Sequence, residues 1–406
     1  MRKSRFLLKA DGRWIAFGML ASFFLLLKIA AATLDKPVFE LPPFQWFGPM
    51  APYFADLRGV ASWSEQFLTD PSVQPENLRD LWNRPFNYPH LWLYAGDFGL
   101  NARTVMGFGY GMDALFFAAA FFALGRLNAF GGLAAGLFLI SYSVMFGVER
   151  ANVDLLMFVL LALALGLRRF PPLSAAVIAL AAVLKLHPVF AFLALVVPPW
   201  KKTLPWLGAG LLLSAAGILG HFRELIGGMS SAPNIHSGTL AFGMTAVGFA
   251  FMERFHRPEL YGAVVISGVV VLIVAAGVGA WSRPELDKTA LGERELFAFR
   301  LGAGVYLGSF LLGTNHDYRA VVLLFCLPLL LHFLEKRIAT AWTRTTLLLI
   351  LVDVNWLYFA TEKAWCVFLV KQAVAWALAV CLTALTVAGL PTALQWPRRV
   401  EARPTT

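Results

Sequence analysis

Residues 172–199, PLSAAVIALAAVLKLHPVFAFLALVVPP, form an apolar run longer than one crossing needs, interrupted at Lys185-Leu186-His187-Pro188. Proline lacks the N–H that a helix uses and disfavours helical geometry in the residue before it. The run therefore reads as two short legs that meet at the break. Broken helices inside a bilayer are tolerated where they face protein or a wet cavity, so the break itself marks a candidate site.

The chain around this run has 406 residues, is 59% hydrophobic and only 14% charged. Further apolar runs occur at 14–34, 105–124, 129–147, 151–167, 203–220, 260–281, 297–313, 319–334, 342–361 and 365–389. Each is near the length that crosses a hydrocarbon layer about 30 Å thick. The expectation is an all-α polytopic membrane protein of about 11–13 transmembrane helices. Residues 1–406 would form a single integral membrane domain, with the first loop, 35–104, as an elaboration of it.

Met1 to Arg13 is basic and precedes the first apolar run, which carries Lys28. Ala30-Ala31-Ala32 resembles a signal-peptide cleavage site, but the run exceeds the usual span of about 7–15 residues and reads as a retained helix. The N-terminus is placed inside and the broken run is counted as two legs. Arg168-Arg169, Lys201-Lys202, Lys336-Arg337 and Arg398-Arg399 then all fall on the inner side, as the positive-inside rule asks. Both termini are expected in the cytoplasm. The net charge of +10 is thereby a topology signal, with no nucleic-acid partner implied. Cys326, Cys366 and Cys381 have neither paired nor metal-ligand spacing, so neither a disulfide framework nor a zinc site is expected.

This topology gathers the polar segments at the outer face: the first loop, Glu149 to Asp154, the Lys185–Pro188 break, His221 to Glu259, and Asn315 to Arg319. A charge within a spanning helix costs on the order of 2.5–3.5 kcal/mol at its centre, so each needs a partner or a purpose. Asp113, Asp154, Lys185, Asp317, Arg319 and Asp353 are in that position. Asn152 or Asp154 serves either as a cap at a helix start or, with Arg150, as a contact to a sugar and an anion. Asp317 and Arg319 either pair with each other or, with His316, meet a phosphate, for which a guanidinium is well shaped. Lys185 lies too far from the inner surface to snorkel there and must reach the outer surface, a partner or an anion, with His187 beside it. His221, His236 and His256 read as surface histidines. Asp353 and Asn355 read as interhelical hydrogen-bonding groups.

Asp56 lies in Tyr53-Phe-Ala-Asp56-Leu-Arg58, within a loop rich in Phe44, Trp46, Phe47, Tyr53, Phe54, Trp63 and Phe67. Such a loop suits the headgroup level, where a partly desolvated carboxylate becomes a better base. The alternative is a plain loop carboxylate paired with Arg58.

Taken in order, Tyr53–Arg58, Arg84-Pro-Phe-Asn87-Tyr88-Pro89, Glu149-Arg-Ala-Asn152-Val-Asp154 and Ala182-Val-Leu-Lys185-Leu-His-Pro188 resemble the GT-C class of polytopic glycosyltransferases. The closest likeness is to glycosyltransferase family 87, the polyprenol-phosphate-mannose-dependent mannosyltransferase-like proteins. The resemblance covers residues 15–200, and the C-terminal half only as a succession of helices. It implies a GT-C type bundle with a long first extracytoplasmic loop in a bacterial plasma membrane. It implies inverting transfer of a hexose, mannose by the likeness, from a polyprenyl-phosphate donor to a lipid or glycan hydroxyl. Asp56 would be the catalytic base. Arg58, Asn87, Tyr88, Arg150, Asn152, Asp154, Lys185, His187, His316, Asp317 and Arg319 would bind substrate. No metal or other cofactor is implied, since Asp56 lacks the adjacent second acid of metal-binding members. The rival is a multi-pass transporter or flippase for a lipid-linked or small anionic substrate, which predicts inverted repeats and polar groups near mid-membrane.

Overall fold

The computed structural model describes residues 11–42, 44–47, 50–69, 80–82, 84, 86–196, 200–220, 241–281, 292–313, 315–359 and 365–390. His221, His236 and Arg398-Arg399 lie outside these. The chain is an all-α, multi-pass membrane protein: among the described residues seven helices are long and apolar enough to cross a membrane, or eight with one bent pair joined.

The first span, α1 (Gly12–Leu34), begins at Asp11, whose carboxylate accepts from Arg13 N at 3.1 Å and so caps it. It runs unbroken through Ala30-Ala31-Ala32 and packs on α4 (Ala129–Leu139), with Gly12 N donating to Leu127 O at 2.7 Å. Between them come α2 (Ala55–Thr69), a 3₁₀ helix at His90–Phe98 and the spanning α3 (Val105–Leu124). Ser141 caps α5 (Tyr142–Arg150), and α4 and α5 meet at 47°. The 129–147 run is thus bent, not straight.

Two shorter apolar helices follow, α6 (Val153–Gly166) and α7 (Pro171–Leu184). After α7 the chain breaks at Lys185-Leu186, and a 3₁₀ leg, His187–Leu195, packs back against α7. The expected division of the 172–199 run is what the structure has. Then come α8 (Trp200–Leu219), α9 (Met244–Phe255), α10 (Glu259–Trp281) and α11 (Glu293–Leu312). The Asp317–Cys326 segment is a 3₁₀ helix that passes into α12 (Leu327–Glu335), and α13 (Ala341–Phe359) and α14 (Trp365–Ala388) end the described chain. The expected 11–13 crossings are approached only by counting short and bent legs singly. The apolar runs are where the sequence puts them, but several are too broken to span alone.

α11 and the 317–335 segment are mostly enclosed by protein, whereas α1, α8 and α10 are mostly exposed. The exposed faces carry Leu25, Leu212, Ile266 and Ile273, as lipid-facing helices do. Gly304 and Gly308 let the 187–195 leg lie on α11, for a Cβ at either would run into Phe190. A two-stranded antiparallel ribbon, β1 (Ala241–Phe242) with β2 (Asn315–His316), sits at the end of α11 and pairs Ala241 with His316. Asp353 takes part in an interhelical bond, as its position suggested, accepting from Tyr306 Oη at 3.4 Å. Asn355 does not: its Nδ2 donates at 2.9 Å to Leu351 O, one turn back in its own helix.

Candidate active site

The start of α2, the junction of α5 and α6, the Lys185 break and the 315–319 segment converge. Two backbone features fix the junction. Phe54 and Ala151 both take left-handed φ, 64° and 44°, a conformation that costs a residue with a Cβ on the order of 1–2 kcal/mol. Phe54 N donates to Glu149 O at 3.1 Å, bringing the two strained points together. Gly109 of α3 makes room, since a Cβ there would strike the Phe54 ring.

Asp56 stands in the first turn of α2, its side chain 14% exposed. Its Oδ2 accepts from Asn152 Nδ2 at 2.6 Å and its Oδ1 from Arg84 at 3.2 Å. Arg84 also holds Asp80, at 2.9 Å, and the carbonyl of Ala55, at 2.6 Å. Burial pulls the Arg84 guanidinium down, but Asp80 and Asp56 outweigh it and raise it overall. The carboxylate is thus largely shielded from water and oriented from both sides, by Asn152 and by Arg84.

Asn152 does two things at once. Its Oδ1 caps α6, accepting from Asp154 N at 2.9 Å, and also receives Lys185 Nζ at 3.4 Å. Lys185 Nζ lies 3.0 Å from Asp154 Oδ2, His187 Nε2 3.2 Å from Asp154 Oδ1, and Arg319 Nε 3.6 Å from Asp154 Oδ2. Lys185 is flanked by the rings of Tyr88 and Tyr318, at 5.6 and 5.8 Å. Burial raises the Tyr88 hydroxyl well above its ordinary range, with Asp56 adding to it. His316 stacks on Tyr318 at 5.1 Å. Burial, only partly offset by Asp56, pushes its imidazole down to about 4. Arg150 lies over Phe146 and holds Glu149 at 2.8 Å. Each cation here faces a carboxylate: Arg84 faces Asp56 and Asp80, Arg150 faces Glu149, and Lys185 and Arg319 share Asp154.

Of the residues singled out in the sequence, Asp56, Tyr88, Arg150, Asn152, Asp154, Lys185, His187, His316 and Arg319 belong to this cluster. Three do not. Arg58 sits two residues from Asp56, which on a helix points it elsewhere: its Nε donates to Tyr53 O at 2.6 Å and a further nitrogen reaches Met106 Sδ at 3.3 Å. The Asp56–Arg58 pairing is not made. Asn87 is exposed. Asp317 turns inward and pairs with Lys371 of α14, because residues two apart on a 3₁₀ helix also face apart. Arg319 instead reaches Asn315 and Asp154.

Arg84, Asn315, Tyr318 and Lys371 were assigned no role from the sequence. Lys371 carried a usable signal, a charge inside the last apolar run. Arg84 stood in a quoted motif but had no visible partner. No protein-family model, curated protein or solved structure matches the chain.

Proposed function

We propose that the chain is an inverting GT-C type glycosyltransferase, similar to family 87. It moves a hexose, mannose by that likeness, from a polyprenyl-phosphate donor to a hydroxyl of a lipid or glycan acceptor. The cluster faces the extracytoplasmic side of a bacterial plasma membrane, and both termini are cytoplasmic.

The observation that carries this reading is the amide of Asn152, with Asp56 on its nitrogen and Lys185 on its oxygen. It places a carboxylate and a set of cations one side chain apart, as a base and an anion site for one reaction must be. The acceptor hydroxyl gives its proton to the Asp56 carboxylate while its oxygen bonds to the anomeric carbon. The bond from that carbon to the phosphate oxygen breaks, and its electron pair leaves with polyprenyl phosphate. Attack opposite the departing oxygen inverts the centre. Arg319, whose contact to Asp154 is a long 3.6 Å, has the hydrogens to spare for phosphate, and Lys185 and Arg150 stand beside it. A groove of about 230 Å³ lined by Leu91, Tyr94, Val183 and Ile218, and by Pro89 and Leu186, the chain neighbours of Tyr88 and Lys185, suits part of the isoprenoid tail.

The transporter reading is weaker, because the cluster gathers at helix ends and loops, away from the middle of the spans. The deciding experiment incubates purified protein in detergent with labelled polyprenyl-phosphate hexoses and candidate acceptors and scores release of polyprenyl phosphate. Release that Asp56→Asn abolishes supports the reading, and the rate is expected to be unchanged by chelator. No release with any hexose, together with uptake of donor or anion into proteoliposomes, would replace it with the transporter.

A further inference from the structure

Lys371 and Gln372 are neighbours in α14, far in sequence from the cluster, yet both are almost fully buried, at 1% and 2% exposure. Each grips one side of the β1–β2 ribbon. The Lys371 ammonium pairs with Asp317, the residue that follows β2, through both carboxylate oxygens. Gln372 Nε2 donates to the carbonyl of Ala241 in β1 at 2.7 Å. Ala241 is in turn the partner of His316 in the ribbon.

From the ribbon the linkage continues to the cations. Asn315 Nδ2 donates to Ser309 O at 2.6 Å and to Gly313 O at 2.8 Å, which fixes its amide against the end of α11. Its remaining oxygen accepts from Arg319, and Arg319 faces Asp154. Two members of this series have little freedom: Asp317 is held through both carboxylate oxygens, and Asn315 at both ends of its amide. A buried ammonium without its carboxylate would be costly, so the pair also specifies how the ribbon sits on α14.

We infer that Lys371 and Gln372 are positioning residues: together they lock the Ala241–Phe242 and Asn315–His316 ribbon onto the last helix and thereby set where Arg319 and His316 stand against the anion site. The inference deepens the proposed transfer reaction and rests on it for its kinetic consequence. A guanidinium moved by about 1 Å costs on the order of 10²-fold in a reaction that depends on placement. The loss falls on the donor, whose phosphate meets Arg319, and not on the acceptor.

The test compares the full-length wild-type protein with Lys371→Met, Lys371→Arg and Gln372→Leu. It measures backbone hydrogen exchange at 241–243 and 315–319, and KM for the labelled polyprenyl-phosphate hexose and for the acceptor. Faster exchange at the ribbon, donor KM raised by roughly 10²-fold in Lys371→Met with acceptor KM unchanged, and recovery in Lys371→Arg are the expected results. Gln372→Leu, which leaves no buried charge unpaired, shows the same pattern to a smaller degree and decides the matter if Lys371→Met does not fold. Unchanged exchange and donor KM in folded variants, equal changes in both KM values, or no recovery with arginine would overturn the inference. If wild-type protein transfers no sugar, the transferase reading fails while ribbon exchange still decides the positioning role.

Discussion

Asn152 Nδ2 donates to Asp56 Oδ2 at 2.6 Å across 96 residues of sequence, and the same side chain caps α6 through its oxygen. A cap and the support of the proposed base are thus one residue, and substitutions can separate them. Asn152→Ser keeps a capping oxygen but cannot reach Asp56, so it is expected to lose the bond to that carboxylate, at about 1.5–3 kcal/mol, and turnover with it. Asn152→Ala loses the cap as well, at about 1 kcal/mol more. Thermal melting in detergent beside transfer rates measures the two effects.

Asp56→Asn keeps the side chain's size and removes its capacity to take a proton. Sugar transfer is expected to drop by on the order of 10²–10⁴-fold, with donor binding changed little. A folded Asp56→Asn protein that turns over within tenfold of wild type would remove this carboxylate from the base role.

Arg319→Ala and Lys185→Ala differ in cleanliness. Lys185 is 3.0 Å from Asp154, a carboxylate 1% exposed, so deleting it leaves that buried charge with only His187 and the longer contact to Arg319, at a cost of up to about 3–5 kcal/mol. Arg319 is farther, at 3.6 Å, and 19% exposed, so its removal costs less stability. Arg319→Ala is expected to weaken donor binding at least tenfold and leave the acceptor constant alone. Isothermal titration with each ligand checks this.

His316 supplies a pH dependence whose sign follows from its lowered pKa. An unfolded histidine titrates near 6.5, whereas burial holds this one at about 4. The neutral form is favoured in the fold, so its contribution is complete above pH 6.5 and is lost as the pH falls from there toward 4, by on the order of 1–3 kcal/mol. His316→Gln is expected to flatten the difference between melts at pH 7.5 and pH 5. An unaltered slope would assign the acid sensitivity elsewhere.

Trp92 ties the first loop to the bundle, its Nε1 donating at 2.8 Å to Leu184 O, one of the carbonyls that the end of α7 leaves without a helical partner. Trp92→Phe is expected to destabilise by about 1–2 kcal/mol. It should also speed proteolysis in the first loop before the spans are touched, which limited digestion and mass mapping would show.

The break at Lys185 was legible because Pro188 lacks an N–H and stands beside two polar residues in an apolar run too long for one crossing, whereas Pro205 is carried within α8. The run from 319 to 334 was legible as apolar but not as a 3₁₀ segment, since composition does not tell i+3 from i+4 hydrogen bonding. That geometry turned Asp317 to Lys371 and left Arg319 for Asp154. Arg84 and Asn152 were visible as residues, but their meeting at Asp56 depends on how a long loop folds over the bundle. Periodicity and spacing carry no such information. Asn87, quoted within a motif, points outward for the same reason: neighbours in sequence need not share a surface.

The engagement of each cation by a carboxylate around Asp56 and Asp154 bears on how the proposed reaction would end. In the proposed reaction a sugar phosphodiester would bring one negative charge to cations that already face carboxylates. The phosphate monoester left after transfer carries about −1.5 to −2 at neutral pH. Under the proposed transfer that added charge would meet cations already engaged by these carboxylates, so the spent carrier would be held less firmly than the loaded one and would leave toward the bilayer.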